Sequence, residues 1–311
     1  MVYAGAWSFI GALSWTTAAV YLVREVGMTP LQLVLTGTAL EVSYFFFEIP
    51  TGVVADLYSR RLSLVTAAVL SGAAMIMTGA VPTVAAVLVG AALWGFGWTF
   101  RSGAEDAWLA DEIGLARLGL VYQRAAQLER VTGLLGIGAA VGLAMVDLQL
   151  PLVAAGAVTL ALAGFLALAM PEEGFSPPTR TRPGGHVRDA VAVARTGSLL
   201  VRSHPVLVLV LGIAFVVGMW AEGFDRLWEA HLLLEVGLPE LGGLDDVAWF
   251  GIIAAGSLVL SFAVAAPLVT RVGRLDQAAL ATALKWRYVP GKRGGVAEAM
   301  WFNVPINFVL E

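Results

Sequence analysis

Hydrophobic positions in this chain form long unbroken runs separated by short polar breaks, not a two- or 3.6-residue alternation. Residues 26–55 hold only two charges, Glu41 and Glu48, and residues 62–100 hold none. A helix needs about 20 mostly apolar residues to cross the hydrocarbon core. In lipid only helices and closed barrels satisfy their own backbone polar groups. A barrel would show alternating segments of about ten residues. These runs are continuous and rich in Leu, Ala, Val and Gly, so they predict an all-α polytopic membrane protein. Spans are predicted near residues 3–23, 31–54, 62–80, 83–103, 121–146, 149–170, 204–225 and 247–270. Pro82 divides the uncharged run into a helical hairpin, because proline cannot donate the helical hydrogen bond. Asp147 to Pro151 divides the fifth span from the sixth in the same way. The first run is too long for a signal-peptide core and has no basic residue before it, which predicts a retained first span. Residues 171–203 form one long connector, Pro-rich in its first half, with 186–202 predicted as an amphipathic helix on the membrane surface.

Composition agrees with this reading. Charged residues are 14% of the chain and apolar ones 59%, against roughly a quarter charged in a soluble domain. The basic residues say which way the chain runs. Before position 275, thirteen Arg fall in the even-numbered connections and two, Arg24 and Arg226, in the odd ones. The positive-inside rule then places the N-terminus and the 171–203 connector in the cytoplasm, and the chain in the cytoplasmic membrane. With no cysteine, a disulfide framework and thiolate metal sites are excluded. His186, His204 and His231 share no ligand spacing, so no metal site or cofactor is expected. A net charge of −4 with dispersed Arg gives no basic patch for nucleic acid. The 35 glycines suit close helix packing in lipid.

Between the second and third spans stands Gly52-Val-Val-Ala-Asp56-Leu-Tyr-Ser-Arg60-Arg61. A Gly-x-x-x-Asp-x-x-x-Arg-Arg turn joining two membrane-length segments resembles the signature loop of the major facilitator superfamily. Leu57 and Ser59 depart from the family pattern, where Arg and Gly are usual; Gly52, Asp56, Arg60 and Arg61 match it. The resemblance implies a secondary transporter built from two six-helix halves that rock about a midplane site. It further implies that Asp56, Arg60 and Arg61 act in gating; the alternative for the arginines is plain topological anchoring. Ala266-x-x-x-Thr270-Arg271-Val272-Gly273-Arg274 is a faint second copy of the loop.

Several residues are candidates for chemistry. Glu41 lies near the middle of the second span, where a charge costs about 2.5–3.5 kcal/mol, so it should face the bundle interior as a proton carrier or a neutral structural acid. Glu48 shares nearly the same face and is a second coupling candidate, or the partner of an Arg. At the end of the fourth span, Arg101, Glu105, Asp106, Asp111 and Glu112 predict an interhelical charge network or a solvated helix end, with Asp106 also a coupling candidate. Gly133, Gly136, Gly138 and Gly142 resemble the glycine-rich motif of drug–proton antiporters, but its usual proline is missing; close packing also explains them. Asp225, Arg226 and Glu229 are candidates for an outer mouth, or mark a helix emerging into water. Trp15, Tyr21, Trp94, Trp98 and Trp220 fall on spans that line the cavity in the family, where they would stack on a lipophilic or cationic substrate. The alternative for each is an interfacial belt.

The expected function is therefore non-enzymatic: proton-coupled efflux of a small drug-like molecule by a monomer in the bilayer. The alternatives are a nutrient or metabolite importer and a truncated, non-transporting membrane protein. The resemblance ends near residue 274. Expected are a complete first half (1–170), a cytoplasmic linker (171–203), two helices of a second half (204–274) that lacks its last four, and an atypical tail (275–311). The tail's longest uncharged run is too short to span a bilayer.

Overall fold

A computed structural model describes residues 1–175, 199–239, 245–283, 292–293 and 296–297. The chain divides into two compact units, Met1–Ala255 and Gly256–Glu311.

The apolar runs are helices. They are α1 (Val2–Glu25), α2 (Pro30–Leu57), α3 (Arg60–Ala80), α4 (Val84–Ser102), α5 (Ala104–Ile113), α6 (Leu115–Ala144), α7 (Leu150–Ala169), α8 (Pro205–His231) and α9 (Asp246–Ala283). Among the described residues, seven helical segments are long and apolar enough to cross a membrane. The predicted span 121–146 is the exception. It forms most of α6, but Glu129 and Arg130 stand inside it and dilute its apolarity. The fourth span divides near Gly103 into α4 and the charged α5. Of the predicted surface helix 186–202, all but 199–202 lies outside the described residues; 199–202 is helical.

Local chemistry sets the boundaries. Thr29 caps α2 through a reciprocal capping box with Gln32, and Pro30 occupies the first turn, where its missing N–H costs nothing. Thr83 caps α4, after Pro82 has ended the preceding run. Both α1 and α8 end in a π-helical turn, Tyr21–Glu25 and Leu232–Val236, each followed by a glycine at positive φ: Gly27 at 70° and Gly237 at 74°. An L side chain in that left-handed region is strained, whereas glycine is not.

In the first unit α3 packs along α7, α1 along α6, and α2 along α4, with α4 also against α3. The core of Ile10, Leu13, Leu64, Ala68, Met75, Ala155, Leu162 and Leu166 lies where α1, α3 and α7 meet. Small residues let backbones approach: a Cβ on Gly156 would stand 2.6 Å from the Gly72 carbonyl oxygen. Two buried hydroxyls return their protons to helix carbonyls, Ser14 to Ile10 (2.7 Å) and Thr159 to Ala155 (2.7 Å), which satisfies them without water. Of the motif-like glycines on α6, Gly136 meets the backbone of Phe9 and Leu13, while Gly138 and Gly142 face open space.

Helix α8 meets the preceding helices at one end only. Residues 205–219 are exposed along their whole length. Its last turns and the π-turn join two apolar seams: Ala230 with Met28, Leu33 and Val87, and Leu233 with Val20, Ala144, Val247 and Phe250. That end carries Arg24, the Val81–Thr83 turn and Asp147, and is the end predicted to face outward.

In the second unit, beyond the part of α9 it contains, β1 (Lys292–Arg293) pairs antiparallel with β2 (Val296–Ala297), with Lys292 opposite Ala297.

Gly156→Val should overpack the α3–α7 crossing and cost about 1–3 kcal/mol, seen as a lowered melting temperature in detergent. Gly138→Ala, with nothing within 4 Å of the new Cβ, should stay within about 0.5 kcal/mol of the parent.

Candidate functional site

Two charged clusters lie at different depths of the bundle. The first borders a cavity of about 60 Å³ whose walls include Trp15, Thr36, Leu40, Thr78, Trp94 and Arg226. Trp15 meets Trp94 edge-on at 5.7 Å, and Trp94 stacks on Trp98 at 5.4 Å. The indole N–H of Trp94 is buried without a hydrogen-bond partner. Arg226 reaches the cavity from α8, its Nε donating to Glu222 Oε1 at 2.8 Å. Gly37 makes room for this pair on α2: a Cβ there would stand 3.0 Å from the Glu222 carboxyl carbon and 3.1 Å from Arg226 Nε. One helical turn further along α2, Glu41 interacts electrostatically with both Glu222 and Arg226, and Tyr44 with all three. Glu222 pairs directly with the Arg226 guanidinium, and Glu41 lies within electrostatic reach of that pair where α2 meets α8.

The second cluster is at the opposite end, around the signature loop. Arg60 binds Asp56 (2.5 Å), approaches Asp111 of α5 (3.8 Å) and lies 5.7 Å from the ring centre of Phe175. Ser59 caps α3 by accepting from the Leu62 N–H and donates to Glu172, whose carboxylate also accepts the Arg61 N–H at 3.0 Å. Arg61 Nη1 donates to the Met170 carbonyl (3.4 Å), Trp108 Nε1 to that of Pro171 (2.9 Å), and the Gly174 N–H to Glu112 (2.8 Å). Residues 170–175 therefore strap the loop to α5. A carboxylate at a helix N-terminus satisfies orphan N–H groups and complements the helix dipole.

Arg101 sits in an aromatic box, its guanidinium carbon 4.3 Å from the Trp7 ring centre, 4.7 Å from Trp98 and 5.7 Å from Tyr3. Its Nε donates to Glu105 at 2.7 Å, and the Tyr3 hydroxyl donates to the same carboxylate at 3.3 Å. Such a cage desolvates a cation while keeping it paired.

The structure distributes the predicted residues unevenly. Asp56, Arg60 and Asp111 come together, as do Arg101 and Glu105. Asp106 instead accepts from Tyr122 (2.6 Å), and Glu48 from Ser102 (2.7 Å) rather than from an arginine. Gly52 faces open space. Of the five aromatics, Trp15 and Trp94 line the cavity. Tyr21 is buried with its hydroxyl on the Thr78 carbonyl (2.6 Å), and Trp220 is exposed, stacked on Phe224. Arg226 belongs to the cavity wall, while Asp225 is exposed and Glu229 half-buried. Sequence reasoning missed Glu222 and Glu172. Glu222 carried a signal, since it stands four residues before Arg226 on one helix face. Glu172 carried none.

Comparisons with known proteins agree on the architecture. The MFS-type transporter YxaM of Bacillus subtilis (strain 168) is 20% identical over 234 residues, covering 75% of this chain. The chain spans 58% of that relative's length. Among solved structures, the nucleoside transporter NupG (D323A mutant) superposes with a TM-score of 0.65 at 14% identity, over 87% of this chain and 67% of its own. The fold is thus a major facilitator-type helical bundle. The family of the Gram-negative bacterial TonB protein C-terminal matches residues 266–310. That match takes in the atypical tail and also the faint second copy of the loop at 266–274.

Glu172→Ala should uncap α3 at a cost of about 1–2 kcal/mol. Amide exchange at Arg61–Ser63 should then quicken roughly 5- to 30-fold, with Glu172→Gln falling between parent and Ala.

Proposed function

We propose that this chain is a secondary active transporter of a small organic solute, working by alternating access in the cytoplasmic membrane with its N-terminus and linker inside. The observation that carries this reading is the Glu41–Glu222–Arg226 cluster, set beside an aromatic-walled cavity where the two halves of the fold meet. With all three groups ionised the cluster holds one net negative charge; with one carboxyl protonated it is neutral. Reorientation through low dielectric favours the neutral form, because unpaired charge there is costly. A single proton on this cluster then licenses the conformational change, which is proton coupling. Glu41 is the group we assign, since Glu222 already holds Arg226 through a direct hydrogen bond.

Export of a drug-like compound in exchange for protons is the direction we favour, with Asp56, Arg60 and Arg61 holding the loop at the inner end. A second reading, transport of a nucleoside-like solute, draws on the name of the structural neighbour and on Trp15, Trp94 and Trp98, whose rings suit a planar base. We take residues 1–170 as the first half, 204–274 as part of the second and 275–311 as the tail, and the TonB-like match at 266–310 overlaps the last two.

The purified chain in proteoliposomes should move ethidium or uridine in response to an imposed pH gradient. Glu41→Gln should cut that flux by roughly tenfold or more, equivalent to about 1.4 kcal/mol, without lowering the melting temperature. Gradient-independent distribution of both probes by a folded parent protein would sink the proposal.

A further inference from the structure

The π-turns that end α1 and α8 are a matched pair. Tyr21-Leu22-Val23-Arg24-Glu25-Val26-Gly27 aligns on His231-Leu232-Leu233-Leu234-Glu235-Val236-Gly237, with Leu, Glu, Val and Gly identical at corresponding positions. Each turn closes with a hydrogen bond reaching back five residues, from the Val26 N–H to the Tyr21 carbonyl (3.1 Å) and from the Gly237 N–H to that of Leu232 (2.9 Å). Each then reverses through its positive-φ glycine. The sequences match in register and the π geometry repeats shifted by one residue, so we assign the feature to the architecture of both halves.

These same turns carry the contacts that close this end of the bundle. Val23 of one and Leu232 and Leu233 of the other lie in a single apolar seam with Val247 and Phe250. Arg24, inside the first turn, forms an ion pair with Asp246 at the start of α9. A π-turn holds one residue more than the α-turn it replaces, and one residue corresponds to about 100° of helical rotation. Rewinding either turn as α-helix would rotate its contact residues out of the seam and carry Arg24 away from Asp246. The pair suits a reversible contact. Arg24 is about half exposed, with its side chain at 53%. Exposed pairs hold weakly and separate readily.

We propose that the Arg24–Asp246 pair is the latch of a gate at the outward-predicted end, hinged on the two π-turns. This rests on the alternating-access reading: the latch is closed when that end is sealed and broken when it opens. Arg24 and Asp246 are positioning residues that set the balance between the two states, and neither needs to touch the solute.

The chain has no cysteine, so spin labels can be attached through Glu25→Cys and Glu235→Cys, both at exposed positions on the twin turns, in the otherwise unaltered full chain. Pulsed dipolar distances measured in lipid nanodiscs report gate opening without any substrate. Arg24→Ala and Asp246→Ala should each raise the long-distance population by about two- to fivefold, the shift expected from losing an exposed ion pair. Arg24→Lys should keep the parent distribution, and the charge swap Arg24→Asp with Asp246→Arg should return toward it. Unchanged distances in both alanine variants, or a swap more open than either, would overturn the latch. Because this readout involves no flux, a latch that responds in a chain that moves no solute would count against transport alone. Robust gradient-driven flux with distances indifferent to all four substitutions would count against the latch alone.

Discussion

A hydrocarbon solvent offers no hydrogen bonds and little screening, and most of this protein's architecture follows from that constraint. Backbone groups must be satisfied within each helix, so the apolar runs fold as helices. Side-chain hydroxyls such as those of Ser14 and Thr159 return their protons to carbonyls of their own turn. Within these spans an ionised group is kept beside an opposite charge or a polar partner: Arg101 with Glu105 in a box of rings, Arg226 with Glu222 in the space left by Gly37. The same solvent explains why residues 205–219 of α8 lie exposed without penalty. Apolar side chains in lipid gain little from a protein partner, and packing in lipid depends instead on close backbone approach at small residues.

The two charged clusters differ in kind. Around Arg60 the contacts are many and local. Asp56, Asp111, Phe175 and the Glu172 cap tie loop, α5 and strap into one assembly. Around Arg226 one cation pairs directly with Glu222 of α8 and lies within electrostatic reach of Glu41 on α2. Redundant networks rigidify, whereas an under-supplied one can switch. In the transporter we propose, clusters of these two types would serve respectively as a fixed frame and as a moving joint.

Span positions were legible because twenty-residue apolar runs and proline breaks are one-dimensional signals. The Gly52–Arg61 loop was legible because its residues are contiguous, and Arg60 does meet Asp56 as an i, i+4 neighbour. The acids after Arg101 were harder to assign. Which of Glu105, Asp106, Asp111 and Glu112 reaches which partner depends on the rotation of α5 about its axis, and spacing alone leaves that open. Glu172 was invisible because its partners, Ser59 and Arg61, lie more than a hundred residues away. The twin turns were readable in principle from Glu-Val-Gly at 25–27 and 235–237, although their π geometry was not.

From its sequence alone, the chain's class, the rough limits of seven of the eight expected spans, and the intramembrane position of Glu41 were determined, since each depends on local composition measured against the thickness of a bilayer. Tertiary structure alone decided which acid shares Arg226, which carboxylate caps α3, and that Arg24 meets Asp246. Those pairings depend on helix rotation, tilt and the docking of α8 and α9, which are set by side-chain packing between segments far apart in the chain.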